Sequence, residues 1–136
     1  CHRGTDRARA GGMSEFAAVT GVLETYFDGL NHDDTDKLTI AFHPQAIYAT
    51  ADEVPLLYRM MDEYFSVVEK RESPASRAEP RRDTIDAIEF AGDNTAFARV
   101  RCSIGTRDFI DFLTLVRTDG AWRIIAKVFH ITEHNS

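Results

Sequence analysis

Apolar positions recur at helical spacing early in the chain and crowd into strand-like runs late in it. Phe16, Val19, Leu23, Tyr26, Phe27 and Leu30 keep a period near 3.6 and predict a helix over 15–31. Ser14 serves as its N-cap, with Glu15 in the first turn where the helix dipole favours an acid. Polar residues 31–34 break the pattern, and a shorter helix over 35–42 buries Leu38, Ala41 and Phe42 before Pro44 stops it. Residues 46–50 read as a short strand, 51–55 as a turn and 56–58 as a second short strand. A third helix over 61–71 places Met61, Tyr64, Phe65 and Val68 on one face, and the proline-containing segment 73–80 reads as a surface loop. Four long strands follow, over 85–90, 95–104, 107–118 and 121–131, separated by Gly92-Asp93-Asn94, Gly105-Thr106 and Asp119-Gly120.

Helices first and an antiparallel meander last predict an α+β domain: three N-terminal helices packed on a curved, mainly antiparallel sheet. Alternation places Phe109, Asp111, Leu113 and Leu115 on one face of the third long strand, opposite Ile110, Phe112, Thr114 and Val116. In the last strand it groups Trp122, Ile124, Ala126, Val128 and His130 against Arg123, Ile125, Lys127 and Phe129. Both faces are largely apolar, so both are expected to be covered: the concave one by helices, the convex one by a second copy of the chain. A homodimer through the outer sheet face follows.

The chain has 136 residues, enough for one core without staples, and 43% of them are hydrophobic. Residues 1–12 are polar and precede Met13; they are expected to form a disordered tail or an upstream remnant, with 13–136 as the single domain. That tail carries three Arg and one Asp, so the net charge of −6 becomes about −8 on the remainder. An acidic balance argues against nucleic acid, and no apolar run is long enough for a membrane helix. Arg71, Arg77, Arg81 and Arg82 cluster, but acids intersperse them, as on a solvated loop. Cys1 and Cys102 make neither a disulfide framework nor a metal site; Cys102 reads as a small buried hydrophobe. No apolar segment follows the basic residues of the N-terminus, so the expected compartment is the cytoplasm.

Asp111 interrupts an apolar row, where a carboxylate is costly unless paired, hydrogen-bonded or protonated. It is either an acid/base group or a structural partner of Arg101, Arg107 or Lys127. His130, ending an apolar face, and His43, before Pro44, are candidate acid/base groups at a pocket mouth. The spacing of His43, His130 and Asp111 is not diagnostic of a metal, and neither metal nor cofactor is expected. Tyr48, Tyr58 and Trp122 supply aromatic surface for a flat apolar ligand.

The order of elements resembles the NTF2-like cone fold, and particular residues carry the resemblance. Tyr26-Phe27-Asp28-Gly29-Leu30-Asn31-His32-Asp33-Asp34 looks like that fold's first-helix ending. Ala41-Phe42-His43-Pro44-Gln45-Ala46 is similar to its phenylalanine–His-Pro–acid–alanine element, with Gln45 at the acidic place. Asp111 to Leu115 and Asp119 to His130 resemble the ending of the branch labelled putative lumazine-binding, related to SnoaL and ketosteroid isomerase. The likeness covers roughly residues 15–131 and implies a ligand pocket inside the cone. In ketosteroid isomerases of this fold a first-helix tyrosine stabilises a dienolate, and Tyr26 lies at the matching place. Their general-base aspartate falls on Thr50, which cannot abstract a carbon-bound proton; Asp52 is two residues on.

Three functions fit these features. One is a small-molecule binder with Tyr26, Tyr48, Tyr58, Asp111 and His130 lining the cone. The second is a cofactor-independent isomerase, cyclase or dehydratase with Asp111 or His130 as acid/base and Tyr26 as oxyanion donor. The third is a structural or regulatory dimer with a filled cone.

Overall fold

The computed structural model describes residues 5–70 and 82–133, with side chains from Glu15 onward. Helix α1 (Thr5–His32) leads into α2 (Thr35–Ala41), β1 (Phe42–Thr50), β2 (Leu57–Met60) and α3 (Met61–Lys70). The meander follows as β3 (Thr84–Ala91), β4 (Thr95–Ile104), β5 (Arg107–Thr118) and β6 (Ala121–Glu133). One six-stranded sheet has the order β2-β1-β6-β5-β4-β3. Among the described residues only the β1–β6 pairing is parallel; the others are antiparallel. The expected elements are present, with boundaries shifted by a few residues at most except at the start of α1. There the helix runs back to Thr5, through residues assigned from sequence to a tail; Arg7, Ala8, Arg9 and Ala10 are good helix formers. The loop expected over 73–80 lies outside the described residues.

Local chemistry explains the breaks. Asp33 takes a left-handed conformation (φ 50°) after α1, and the Asp34 amide closes back onto Gly29 O at 2.9 Å. Asp34 then caps α2, its carboxylate accepting from the amides of Asp36 and Lys37. Gly29 lets α2 approach closely: a Cβ there would lie 2.7 Å from Leu38 Cδ2. The Asp119-Gly120 turn has positive φ at both residues, which matches the twist of the β5–β6 hairpin.

Val19, Leu23, Tyr26, Phe27 and Leu30 form the buried stripe of α1, whereas Phe16, at the same helical period, is largely exposed. The stripe packs against Ala96, Ala98, Val100, Leu113, Leu115 and Ile124 from the sheet. A register shift in β5–β6 pairs Leu115 with Ile124 but Thr114 with Ala126, so Ile125 is an extra residue opposite the β5 backbone. This bulge overturns the simple alternation expected for β6. Trp122 and Ile124 face the core, but so do Lys127 and Phe129, while Val128 and His130 face outward. The β1–β6 pairing also shifts register, between Phe42 and Ile47. Bulges of this kind bend and twist a sheet, giving it the curvature the helices fill.

Candidate functional site

The bulge brings a cation into the core beside the odd carboxylate. Asp111 and Lys127 are both buried, and Lys127 Nζ lies 3.9 Å from Asp111 Oδ2. The other two cations considered as partners for Asp111 are engaged elsewhere: Arg101 with Asp86 at 2.8 Å, Arg107 with Glu133 at 2.7 Å. Tyr26, carried in by the buried stripe of α1, donates its hydroxyl to the same Asp111 Oδ2 at 2.6 Å. Asp111 Oδ1 is buried without a hydrogen-bond partner among the described residues.

Aromatic rings enclose the ammonium. Lys127 Nζ lies 5.2 Å from the ring centre of Tyr26, 5.1 Å from Tyr48 and 5.7 Å from Tyr64. Phe109 and Phe129 complete the surround at 5.8 and 5.2 Å. The negative faces of these rings offset part of the cost of removing the ammonium from water. Burial works against the charged lysine, yet Asp111 and the phenols of Tyr64 and Tyr48 hold its pKa above the ordinary 10.5. Burial, and then the Asp111 carboxylate, push the Tyr26 phenol well above 10.0. Tyr26 therefore keeps its proton and donates a hydrogen bond to Asp111, and Lys127 remains a cation.

A small cleft open to solvent lies between the end of α1, the residues leading into β3 and the end of β4. Phe27, Leu30, Asn31, Arg82, Cys102 and Ile104 are among its lining residues. Cys102, one of the lining residues, is itself buried in the core cluster that includes Tyr26.

Of the residues singled out from sequence, Tyr26, Asp111 and Tyr48 are brought together, with Tyr48 stacked on Tyr64 at 4.4 Å. The others are not. His130 is turned outward by the bulge, with 59% of its side chain exposed, and its Nδ1 is 2.7 Å from Asp52 Oδ2. Asp52 does not turn back into the cone; it also accepts from the Ile131 amide at 2.9 Å. Thr50, at the place of the isomerase base, is buried and donates to Phe129 O at 2.7 Å. His43 is half-buried and accepts from the Gln45 amide across the β1 irregularity. Tyr58, on β2 at the sheet edge, is 53% exposed. Trp122 is buried, but its indole N–H donates to Glu15, which also binds Arg117. Glu15 is roughly 16 Å along α1 from Tyr26 at 1.5 Å per residue, so Trp122 closes the far end of the domain. Lys127, Tyr64, Phe109 and Phe129 are the members of the cluster not singled out as site residues. Lys127 did carry a signal: it interrupts an apolar run in β6 as Asp111 does in β5.

The Asp52–His130 pair makes a surface prediction. The Ile131 amide first, and His130 second, hold the Asp52 carboxyl below its ordinary 3.8. Since its folded-state pKa is lowered, the stability it contributes is present above about pH 3.8 and lost as pH falls further. An NMR titration is expected to give Asp52 a midpoint below 3.8 in the wild type. In His130→Ala most of that depression is expected to remain, because the backbone amide is the larger cause.

This fold, with a buried polar cluster enclosed by rings, defines a protein of the NTF2-like class. The chain matches, over residues 14–130, the model of the family described as "Putative lumazine-binding", and it belongs to that family. An NTF2-like protein of unknown function from Shewanella baltica OS155 shares 26% identity, covering 91% of this chain and 97% of that one, at a TM-score of 0.78. An NTF2-like protein of unknown function from Silicibacter pomeroyi DSS-3 is 25% identical over 89% of this chain and 98% of its own, with a TM-score of 0.75. A ketosteroid isomerase-like protein from Erwinia carotovora atroseptica SCRI1043 shares the fold at 12% identity and TM-score 0.69, covering 88% of this chain and 98% of that one. No curated protein matches the chain. Among the described residues, no helix is long and apolar enough to cross a membrane.

Proposed function

We propose that this protein binds a small, flat, largely apolar molecule within the cone. Tyr26, Asp111 and Lys127 form the polar end of the site, and Tyr48, Tyr64, Phe109 and Phe129 its aromatic walls. The observation that carries this reading is the buried Asp111–Lys127 pair in a largely apolar core, with Asp111 Oδ1 unpartnered among the described residues. Replacing a buried ion pair by apolar groups of similar volume is often neutral or stabilising, so stability alone does not account for the cluster. The description of the family supports a small-molecule ligand.

Protein purified under native conditions, then denatured, is expected to release a bound small molecule detectable by mass spectrometry. The triple variant Tyr26→Phe/Asp111→Leu/Lys127→Met, which empties the cluster of charge together, is expected to release none. If the wild type releases nothing and no compound in a flat-ring library raises its melting temperature, the binding reading fails and the filled-cone dimer stands.

Acid/base catalysis at the same cluster is a second reading, favoured by the 2.6 Å Tyr26–Asp111 hydrogen bond. In it Asp111 moves the proton, and Tyr26 must transfer its hydrogen bond from Asp111 to the developing oxyanion. His130, on the opposite face of the sheet, takes no part.

The outer sheet face supports association with a second copy. Phe112 and Val128 are paired neighbours there, 51% and 49% exposed, with Ile110 beside them and Met60 on β2. Contiguous apolar surface of this kind favours a partner. Phe112→Asp is expected to shift the protein from dimer to monomer in analytical ultracentrifugation without loss of the helical signal.

A further inference from the structure

The outer face of the sheet carries a second group of polar side chains, on the side away from the buried cluster. His130 Nδ1 lies 2.7 Å from Asp52 Oδ2, and the other ring nitrogen, Nε2, lies 3.2 Å from Thr132 Oγ1. His130 and Thr132 are two residues apart on β6, so their side chains share a face, and Asp52 comes from the turn between β1 and β2. We propose that Thr132, His130 and Asp52 form a hydroxyl–imidazole–carboxylate relay that transfers the acyl group of small, neutral, activated esters first to Thr132 and then to water. The proposal is independent of the binding reading above.

Local structure sets the order of the relay. An ionised carboxylate can only accept hydrogen bonds, so the ring proton stands on Nδ1 and the Nε2 lone pair meets the Thr132 hydroxyl. Asp52 is pinned on both sides of His130. Its Oδ2 accepts from the Ile131 amide at 2.9 Å. Its own amide donates at 3.1 Å to Thr50 Oγ1, whose hydroxyl donates in turn to Phe129 O at 2.7 Å. Thr50 is buried, so this second anchor is held by packing. The two neighbours of His130 in β6 thus fix the carboxylate that orients its ring. Nucleophilic catalysis needs this arrangement: a hydroxyl on the base, and the base held by a third group. An exposed His–Asp pair contributes little to stability, whereas an oriented base depends on such an anchor. Nearby charged groups are bonded elsewhere: Asp108, opposite Thr132 on β5, accepts from Ser103, Arg107 pairs with Glu133, and Arg101 with Asp86.

In the first step the Thr132 hydroxyl oxygen bonds to the ester carbonyl carbon as its proton passes to His130 Nε2. The tetrahedral intermediate collapses by breaking the bond to the aryloxy oxygen, which leaves with that proton. Water then adds to the acyl carbon and gives a proton to Nε2. The bond from Thr132 Oγ1 to that carbon breaks, Oγ1 takes the proton back, and the carboxylic acid departs. The site is open, with 59% of the His130 side chain and 39% of the Asp52 side chain exposed. Water reaches the developing oxyanion there and stabilises it less than preorganised donors in a dry pocket. The reaction is therefore confined to esters with good leaving groups, such as aryl acetates, and the carboxylates of Asp52 and Asp108 disfavour anionic ones.

The test uses the full chain, as wild type and as Phe112→Asp, so that a second copy on the outer face does not hide the relay. The probe is p-nitrophenyl acetate. Nitrophenolate release gives the turnover, and mass spectrometry of acid-quenched peptides locates the acetyl group. Acetyl on Thr132 is expected, with turnover continuing beyond one equivalent. Thr132→Val and His130→Gln are each expected to lower turnover about 10- to 100-fold, and His130→Gln to carry no acetyl on Thr132. Asp52 and Thr50 act by positioning His130: Asp52→Asn and Thr50→Val are expected to lower turnover about 10-fold, and Thr50→Ser to restore it. The wild-type rate is expected to rise with pH through one ionisation that His130→Gln lacks. Thr132, His130 and Asp52 are exposed, so their variants are expected to keep the wild-type circular dichroism, which separates lost chemistry from lost fold. Turnover no faster than that of His130→Gln, in both the wild type and Phe112→Asp, would overturn the relay. So would turnover that survives in Thr132→Val, or acetyl found on lysines and not on Thr132.

Discussion

Asp111→Ala is expected to destabilise the protein by about 3–5 kcal/mol, because it leaves the Lys127 ammonium buried without its counter-charge. Rings around the ammonium soften this loss but cannot replace a carboxylate. Lys127→Met is expected to be similarly costly, leaving the carboxylate buried without its counter-charge and with only the Tyr26 hydrogen bond. Removing all three polar groups in Tyr26→Phe/Asp111→Leu/Lys127→Met is expected to restore stability to within about 1–2 kcal/mol of the wild type, since no buried group is then left unpaired. Urea unfolding of the set checks this. Loss in the triple variant equal to the sum of the single losses would show that the three groups act independently.

The same cluster sets an alkaline limit. Lys127 and Tyr26 have folded-state pKa values raised above 10.5 and 10.0. A raised folded value means that the native state holds its proton more tightly, so the stability these groups contribute is full below about pH 10. It is lost as pH rises further. Unfolding free energy is expected to fall between about pH 10 and 11 in the wild type and to fall less steeply in the triple variant.

Phe42→Ala is the second large effect, expected to cost about 3–5 kcal/mol through the cavity it leaves. Phe42 is buried and sits edge-on to Tyr26 at 5.7 Å, Tyr64 at 5.8 Å and Phe65 at 6.5 Å, tying α1 and α3 to the start of β1. It also caps α2, its amide bonding to Leu38 O. Denaturant unfolding and near-ultraviolet circular dichroism measure the loss. Phe42→Leu, which keeps most of the volume, is expected to recover more than half of it. Equal losses for alanine and leucine would mean that ring–ring contact, rather than filled volume, is what the site needs.

Much of the architecture was legible because its signals are local. The period of Val19, Leu23, Tyr26, Phe27 and Leu30 belongs to a single helix, and the Asp119-Gly120 turn to a single hairpin. The likeness around Phe42-His43-Pro44 placed the chain in its fold, and the family match and the structural neighbours agree. The site was legible in part. Asp111 stands out as a carboxylate in an apolar row, and Tyr26 through the likeness to the isomerases. His130, Tyr58, His43 and Trp122 belong to other surroundings, because a candidate chosen by residue type and strand position carries no information about which way a distorted strand turns it.

What the sequence determined by itself is the element order, the α+β class, the four long strands and the anomaly of Asp111. What only the tertiary structure decided is the face each residue of β6 occupies. Both faces of that strand are apolar, so alternation holds nothing to reveal an extra residue, and Ile125 reads as one more hydrophobic position. Its place as a bulge emerges only from pairing with β5. A one-residue shift of a period-two element exchanges its faces. Here that exchange turned His130 out to Asp52 and Lys127 in to Asp111, and so set which residues form the cluster.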